Sequence, residues 1–427
     1  MSLSNTNSKV LDEIETGAHQ ANQAFVVVDS FIAAILICIL MPLFVLNTLV
    51  SILRFQPIFS LTSRCDCLGR VYDCHRFTCG WFRNTALLFD IIRAKIAWYG
   101  LPSANPNSER MNNNSEELAG YKLGVVSYVE LTSASGLVID EGASPNADLH
   151  ARSLPNYISL LSRALLAKVL YQSSHCSLAQ PEQFSLFGFK INNCTMTQAI
   201  DWVTERNFTN SCKTACFVNV NSVNQSTSNS DLVNNIKRAD YRFADGSGMR
   251  VAAKHCGFRI VENVNGTDML PILCKRLEKS GQSIFLYGAA SGVAQRAAHA
   301  LTVDFPKLTI AGTHHGFVAS SDMQSLLNKI NESGADILLV ALGSPYQEAW
   351  LENYAPHVKC KTALAVGGLF DFFAGEYSRA PLWLRQLGME WVWRLIQDPK
   401  TKFKRYVIGN PVFLFRTFFT NKARRGI

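Results

Sequence analysis

Charge is sparse in this sequence: Asp, Glu, Lys and Arg make up 17% of its 427 residues, against about a quarter in an ordinary soluble chain. Apolar residues reach 48%, ample for a core, and the length suits two domains. Paired C-x2-C knuckles are absent, although Cys65, Cys67, Cys74, His75 and Cys79 crowd one stretch. Their C-x-C-x6-C-x4-C spacing departs from ordinary structural zinc sites, so they read as free thiols. The chain shows no cleavable signal peptide, and its twelve cysteines are scattered. That excludes a disulfide framework and points to reduced thiols in a cytosolic compartment. Long apolar runs are also lacking. Residues 31–45 are fifteen residues without a charge, short of the roughly 20 that a clean membrane span needs. Pro42 interrupts them, so a broken, re-entrant or interfacial helix at about 25–50 fits at least as well as a crossing. So little charged face accompanies this stretch that a buried core helix is the weaker reading.

What charge there is sits unevenly. The net charge is +8, and residues 380–427 hold ten Lys/Arg against two acids, which is the whole excess. Trp383, Trp391, Trp393, Phe403, Tyr406, Phe413, Phe415, Phe418 and Phe419 interleave with those cations. Basic-aromatic segments bind nucleic acid in general. A basic amphipathic segment lying on an anionic leaflet explains the same composition and is the reading adopted, with Lys402, Lys404 and Arg405 among its cations.

The remainder is organised around residues 336–350 and their echo at 362–375. Each begins with a short apolar run bounded by glycine, 337–342 and then 363–366, the mark of a buried strand in a parallel sheet. Gly343-Ser-Pro345 turns the chain into a helix over 346–354. Ser344, Gln347 and Glu348 past one strand, and Gly367, Gly368 and Asp371 past the next, sit where open α/β sheets bind ligands. Upstream, strands are expected at 214–220, 241–244, 283–287 and 309–313, alternating with helices at 231–238, 249–256, 266 to about 280, 293–303 and 321–333. Thr195, with Gln198 three residues on, is placed to cap a helix. This alternation predicts an α/β, doubly wound, Rossmann-like domain with a mainly parallel sheet and helices on both faces.

Asp245 is a lone carboxylate at a strand end; spacing leaves a functional acid and an N-cap equally open. Asn219 and Asn221 are site residues or strand-end turn formers. The turn Gly288–Gly292 lets backbone N–H groups approach a diphosphate, a weak signal because the full G-x-G-x-x-G is missing. His314 and His315 are adjacent, so both cannot face one site from a strand, and they read as exposed loop residues.

Two family resemblances sharpen these expectations. After the Pro-broken helix, Phe55-Gln-Pro-Ile-Phe59, Arg64, Gly69, Phe77, Phe89-Asp-Ile-Ile-Arg-Ala-Lys95 and Trp98-Tyr-Gly-Leu-Pro102 resemble the bacterial sugar transferase domain of polyprenyl-phosphate phosphoglycosyltransferases, extending weakly to about residue 172. In that family an Asp-Glu pair carries the nucleophile, whereas Arg83-Asn-Thr-Ala-Leu-Leu-Phe89 here has no carboxylate. A covalent phosphosugar intermediate needs one, so the resemblance implies a degenerate membrane anchor over residues 1–175.

Residues 184–415 resemble the WecG/TagA/CpsF glycosyltransferases, glycosyltransferase family 26. The matching motifs are Ala244-Asp-Gly246, Gly266-Thr-Asp268, Phe285-Leu-Tyr-Gly-Ala289, Gly343-Ser-Pro-Tyr-Gln-Glu348, Gly367-Gly-Leu-Phe-Asp-Phe-Phe-Ala-Gly375, Arg379-Ala-Pro381, Leu387-Gly-Met-Glu-Trp391, Arg394 and Gly409-Asn-Pro411. The family often carries an Arg where this chain has Asn263. The resemblance implies an inverting enzyme of exopolysaccharide or cell-surface polysaccharide synthesis. It would move an N-acetylmannosamine-type sugar, its uronic acid or a hexose from a UDP-sugar to a polyprenyl-diphosphate-linked acceptor. By position it makes Asp245 the catalytic base, gives Asn221 with Asn219 a part in substrate binding, and puts Gln347 on the nucleotide sugar. Gly288, Asp371, Arg385, Arg394 and Arg405 complete the expected binding set. No Asp-x-Asp occurs in residues 184–427, so protein donors are left to meet the departing diphosphate and a metal-independent reaction is expected, with no cofactor. The expected organisation is an anchor at 1–175, a catalytic domain at 176–379 on the cytoplasmic face of the inner membrane, and a membrane-docking appendage at 380–427. Self-association is compatible with this reading, and no nucleic-acid partner is expected.

Overall fold

The computed structural model describes residues 25–103, 121–127, 131, 153–171, 179–205 and 211–419. They form two compact units divided near residue 172.

In the N-terminal unit, helices Phe25–Ile39 and Met41–Leu53 meet at a bend of 68°. Pro42 lies in the first turn of the second helix, where its missing N–H and fixed φ break the hydrogen-bond ladder between the two. Neither helix alone is long and apolar enough to cross a membrane; only the bent pair together has the length and composition. Its few polar residues turn inward. The Asp29 carboxylate accepts the Trp98 N–H at 3.0 Å and the Tyr157 hydroxyl at 2.6 Å. Asn47 donates to the Trp81 carbonyl at 2.8 Å and accepts its N–H at 3.0 Å. Phe31, Ile35, Ile39, Val45, Leu49 and Ile52 face outward. Behind the pair, β1 (Phe59–Cys65) runs antiparallel to β2 (Val71–Phe77), and β3 (Ala97–Tyr99) pairs in parallel with β4 (Gly124–Val126). His75 Nδ1 is 2.7 Å from the buried Asp90 carboxylate. The Cys65–Cys79 stretch does not converge: among the described residues no group of three or more His, Cys, Asp or Glu is placed to hold a metal.

The second unit is built on eight strands, β5 (Gln183–Leu186), β6 (Phe189–Asn192), β7 (Lys213–Val218), β8 (Tyr241–Ala244), β9 (Ser283–Gly288), β10 (Thr309–His314), β11 (Ile337–Ala341) and β12 (Thr362–Ala365). Their order is β10-β9-β11-β12-β7-β8-β6-β5, parallel throughout except for β5 against β6. Successive strand residues point to opposite faces. Thus Ile337 and Leu339 enter one core while Leu338 and Val340 enter the other. Both faces are covered by helices, which is why the strands read as unbroken apolar runs. Thr195 and Gln198 form the expected reciprocal cap, at 3.2 and 2.9 Å.

Three features differ from the expected pattern. β7 stops at Val218, not 220, because Asn219 caps an unforeseen helix, Val220–Ser226. An antiparallel hairpin joins β5 to β6 through Phe187 and Gly188, both at positive φ. The tail that composition set apart at 380 is packed into the same unit. Its last described helix, Gly409–Phe419, buries Phe413 at 1% exposure beside Phe189, Val223 and Met249. Asn224 donates to the Gly409 carbonyl and accepts from Arg416, both at 2.8 Å.

At the N-terminal ends of the strands, Asp336 ties three together: it accepts the Ser283 N–H at 2.9 Å and the Lys361 ammonium at 2.6 Å. Burial works against its charge, but the Lys361 and Ser283 hydrogen bonds hold the carboxyl below the usual range. A depressed carboxyl stabilises the fold above its unfolded pKa, and that contribution disappears as pH falls through the folded one. Asp336→Asn is therefore expected to cost about 1–2 kcal/mol at pH 7, a deficit that shrinks on acidification; urea melts across pH 3–7 check it.

Candidate active site

The C-terminal strand ends open onto a cavity of about 1160 Å³. Asp245 follows β8 directly. Its N–H is held by the Val218 carbonyl at 2.9 Å. The next helix, Ser247–His255, is capped by Gly246 with no side-chain cap bond, so Asp245 is not its N-cap. Gly246 has φ +92°, a backbone conformation that glycine adopts without strain, and its N–H is accepted by Asn263 Oδ1 at 2.7 Å.

Asn219 fixes the carboxylate. Its Oδ1 accepts the N–H groups of Asn221 and Ser222 at 3.0 and 3.2 Å. This settles its amide orientation, since only the oxygen can accept. Nδ2 is thereby aimed at Asp245 Oδ2, 3.2 Å away. One carboxylate oxygen is thus committed. Burial raises the proton affinity of Asp245, Arg394 and Asn219 oppose that, Glu390 adds to it, and Arg405 counters it; the net is a pKa above the ordinary aspartate value. A carboxyl displaced in this direction is better matched to proton abstraction near neutral pH.

The tail supplies the cationic wall. Arg394 lies 3.1 Å from Glu390 and 4.6 Å from the Phe372 ring centre. Burial lowers its proton affinity, but Glu390, Tyr406 and Asp245 more than restore it, so it stays charged. Arg385 and Arg405 line the same cavity, with Lys402, Trp391 and Tyr406. Arg405 thus lines the site as its place in the expected binding set requires, and Lys402, expected only among the membrane-facing cations, lines it too. Asp371 lines the wall as well, its carboxyl raised by burial against the pull of Lys402.

Other expected site residues are placed differently. Gln347 reaches the cavity but is 5% exposed. Its Oε1 accepts the Gly367 N–H at 2.7 Å and its Nε2 donates to Glu348 at 3.0 Å. It ties the two strand-end turns together. Glu348 points into the protein, 2% exposed, its carboxyl raised by burial. Gly288 is outside the lining, though Ala289 and Ala290 belong to it; a Cβ there would collide with the Ala341 carbonyl, so the glycine permits β9 to close on β11. His314 and His315 pack against each other with tilted rings off the cavity wall, half-buried rather than exposed. Sequence reasoning missed the structural parts of Asn263 and Glu390. The Glu390/Arg394 spacing of four on a helix was the available signal for the latter.

Comparison with known proteins agrees with this geometry. The profile of the glycosyl transferase WecG/TagA/CpsF family matches residues 184–426. N-acetylglucosaminyldiphosphoundecaprenol N-acetyl-beta-D-mannosaminyltransferases from Staphylococcus aureus strains MRSA252 and MW2 are each 28% identical to this chain over 245 residues, 57% of this chain and 93% of theirs. The match takes in the strand-end turns, Asp245 and the arginine-bearing tail. The chain belongs to the WecG/TagA/CpsF family and is a glycosyltransferase.

Proposed function

We propose that this chain transfers an N-acetylmannosamine-type sugar from a UDP-sugar to a polyprenyl-diphosphate-linked sugar, with inversion, in cell-surface polysaccharide synthesis. The observation that carries this is Asp245, with one oxygen held by Asn219 and the carboxylate facing a cavity walled by Arg385, Arg394 and Arg405. The uncommitted oxygen takes the proton from an acceptor hydroxyl as that oxygen attacks the anomeric carbon. The bond from that carbon to the donor phosphate oxygen breaks, and UDP leaves with the electron pair. The arginines meet the developing charge, a task otherwise given to a metal; the proposed reaction therefore needs none. Relatives whose names specify an undecaprenyl-diphosphate-linked N-acetylglucosamine acceptor support the choice of substrates. Purified protein, offered UDP-N-acetylmannosamine and a short-chain prenyl-diphosphate N-acetylglucosamine, should release UDP and form the disaccharide, with or without EDTA. No transfer from any UDP-sugar sinks the reading, and loss of activity in EDTA sinks its metal-free part.

The same reading places both units at the cytoplasmic face of the membrane. Asp29 near the start of the bent helix pair and Asn47 near its end are both tied to one folded body. That supports entry and return from one side, with the outward apolar face in the leaflet. On the catalytic unit, Phe403, Phe415 and Phe419 are exposed, as are Lys400 and Lys404. Replacing Lys400 and Lys404 by Glu is expected to weaken binding of the full chain to anionic liposomes at low salt, at about 1 kcal/mol for each cation removed. Vesicle co-sedimentation that ignores both the substitutions and the salt counts against this docking face.

A further inference from the structure

We propose that Asn263 reads the acetamido group of the donor sugar, an inference that rests on the transferase reading above. Asn263 stands in the loop before helix Gly266–Ser280 and lines the cavity. The residues after it are firmly held: Val264 is buried in the core at 2% exposure, and Asn265 caps the helix by accepting the Asp268 N–H at 2.9 Å. Asn263 Oδ1 accepts the Gly246 N–H at 2.7 Å, on the peptide that follows Asp245. Only the amide oxygen can accept, so this bond sets which end of the side chain is which.

Nδ2 is left over. Among the described residues it has no hydrogen-bond partner, and it keeps surface open to solvent. Other amides of the cavity are spent on protein at both ends. Asn219 is held by Asp245 and by the N–H groups of Asn221 and Ser222, and Asn265 by Asp268. Gln347 is held by Gly367 and Glu348. Asn263 thus offers the cavity an oriented, accessible and uncharged donor beside the base. Sugar chemistry says what meets it. Asp245 must reach the hydroxyl that attacks the anomeric carbon, so that carbon comes to rest close to the peptide joining Asp245 to Gly246. In a 2-acetamido sugar the acetamido group is borne by the adjoining ring carbon. Its carbonyl oxygen accepts only and carries no charge, which matches an amide N–H; the guanidinium groups of the wall are better matched to phosphate. A 2-hydroxyl lacks the acetyl arm and leaves Nδ2 unmet, so a site built this way selects against it.

Calorimetric titration of the full-length protein with UDP-N-acetylmannosamine and UDP-mannose tests the contact. The two probes share their diphosphate, so the ratio of their affinities isolates the acetamido group from any effect on phosphate. The wild type is expected to favour UDP-N-acetylmannosamine. Asn263→Asp keeps an oxygen for the Gly246 N–H and loses the donor. Its preference should fall about three- to tenfold, the scale of one neutral hydrogen bond, while its melting temperature holds. Asn263→Leu loses both ends and should lose stability along with the preference; if circular dichroism shows it unfolded, the Asp variant decides alone. A wild type without the preference, or an Asp variant that keeps it, overturns the contact. Transfer by a wild type that treats both donors alike sinks the contact and leaves the transferase reading standing. Preference in the wild type that is lost in the Asp variant, with no transfer by either, keeps the contact and sinks the transferase reading.

Discussion

Asp245→Asn is expected to lower turnover by about 10² to 10⁴, the usual worth of a positioned base, in a protein that still folds. The substitution keeps shape, and its oxygen still accepts from Asn219, whose amide orientation is set by Asn221 and Ser222. What goes is the capacity to take a proton. Stability moves the other way. The Asp245 carboxyl is raised by burial, so the folded state binds its proton more tightly than the unfolded chain does. Such a group costs stability once both states have ionised, and that cost fades as pH falls through the folded value. The Asn variant should melt no lower than wild type at pH 7, and somewhat higher if desolvation dominates. In the wild type, kcat/KM should fall on the acid side with a midpoint above the ordinary aspartate pKa; the Asn variant should lose that limb. Wild-type turnover in Asp245→Asn removes the base assignment.

Phe413→Ala is expected to cost about 3–5 kcal/mol, as for other fully buried aromatics, and to take most of the activity with it. Phe413 is 1% exposed, its ring is 5.1 Å from that of Phe187, and it packs toward Gly248 beside Val220. It is the plug that seats helix Gly409–Phe419 on the helices carrying Asn221 and following Asp245. Arg394 and Arg405 belong to the same C-terminal segment. Unseating that helix loosens the cationic wall and the core under β5 and β6, while β9, β11 and β12, whose cores lie elsewhere, persist. Hydrogen exchange should therefore quicken across 390–419 before it does in β9, β11 or β12. Phe413→Leu fills much of the same volume and should recover most of the stability. A Phe413→Ala protein with wild-type melting and turnover shows the tail to be dispensable.

Much of the fold was legible because its determinants are local. Strand length, glycine punctuation and the switch between periods of 2 and 3.6 are properties of neighbours in sequence. Hence β8, β9, β11 and β12, and the helices after the first three, lie within a few residues of expectation. The Thr195 cap needed only a residue three positions away. The misses came where distant segments compete for one residue. Asn219 reads as a strand residue until its side chain finds the N–H groups of a helix start. Gly288 reads as a phosphate turn until Ala341 of another strand occupies the space beside it. Lys402 reads as a membrane cation because composition cannot report which way a side chain faces.

The sequence by itself determined the α/β class, the strand ends on which a site would form, and, through motifs, the transferase family and the position of its acid. These rest on short-range propensity and on residue identity, which no packing alters. Only the tertiary structure decided that Asp245 is not a cap, that Gln347 spends both ends of its amide on protein partners, and that the basic tail closes the cavity. The hydrogen bonds involved join residues far apart in the chain: 20 positions for Gln347 and Gly367, 26 for Asn219 and Asp245, and 192 for Asn224 and Arg416.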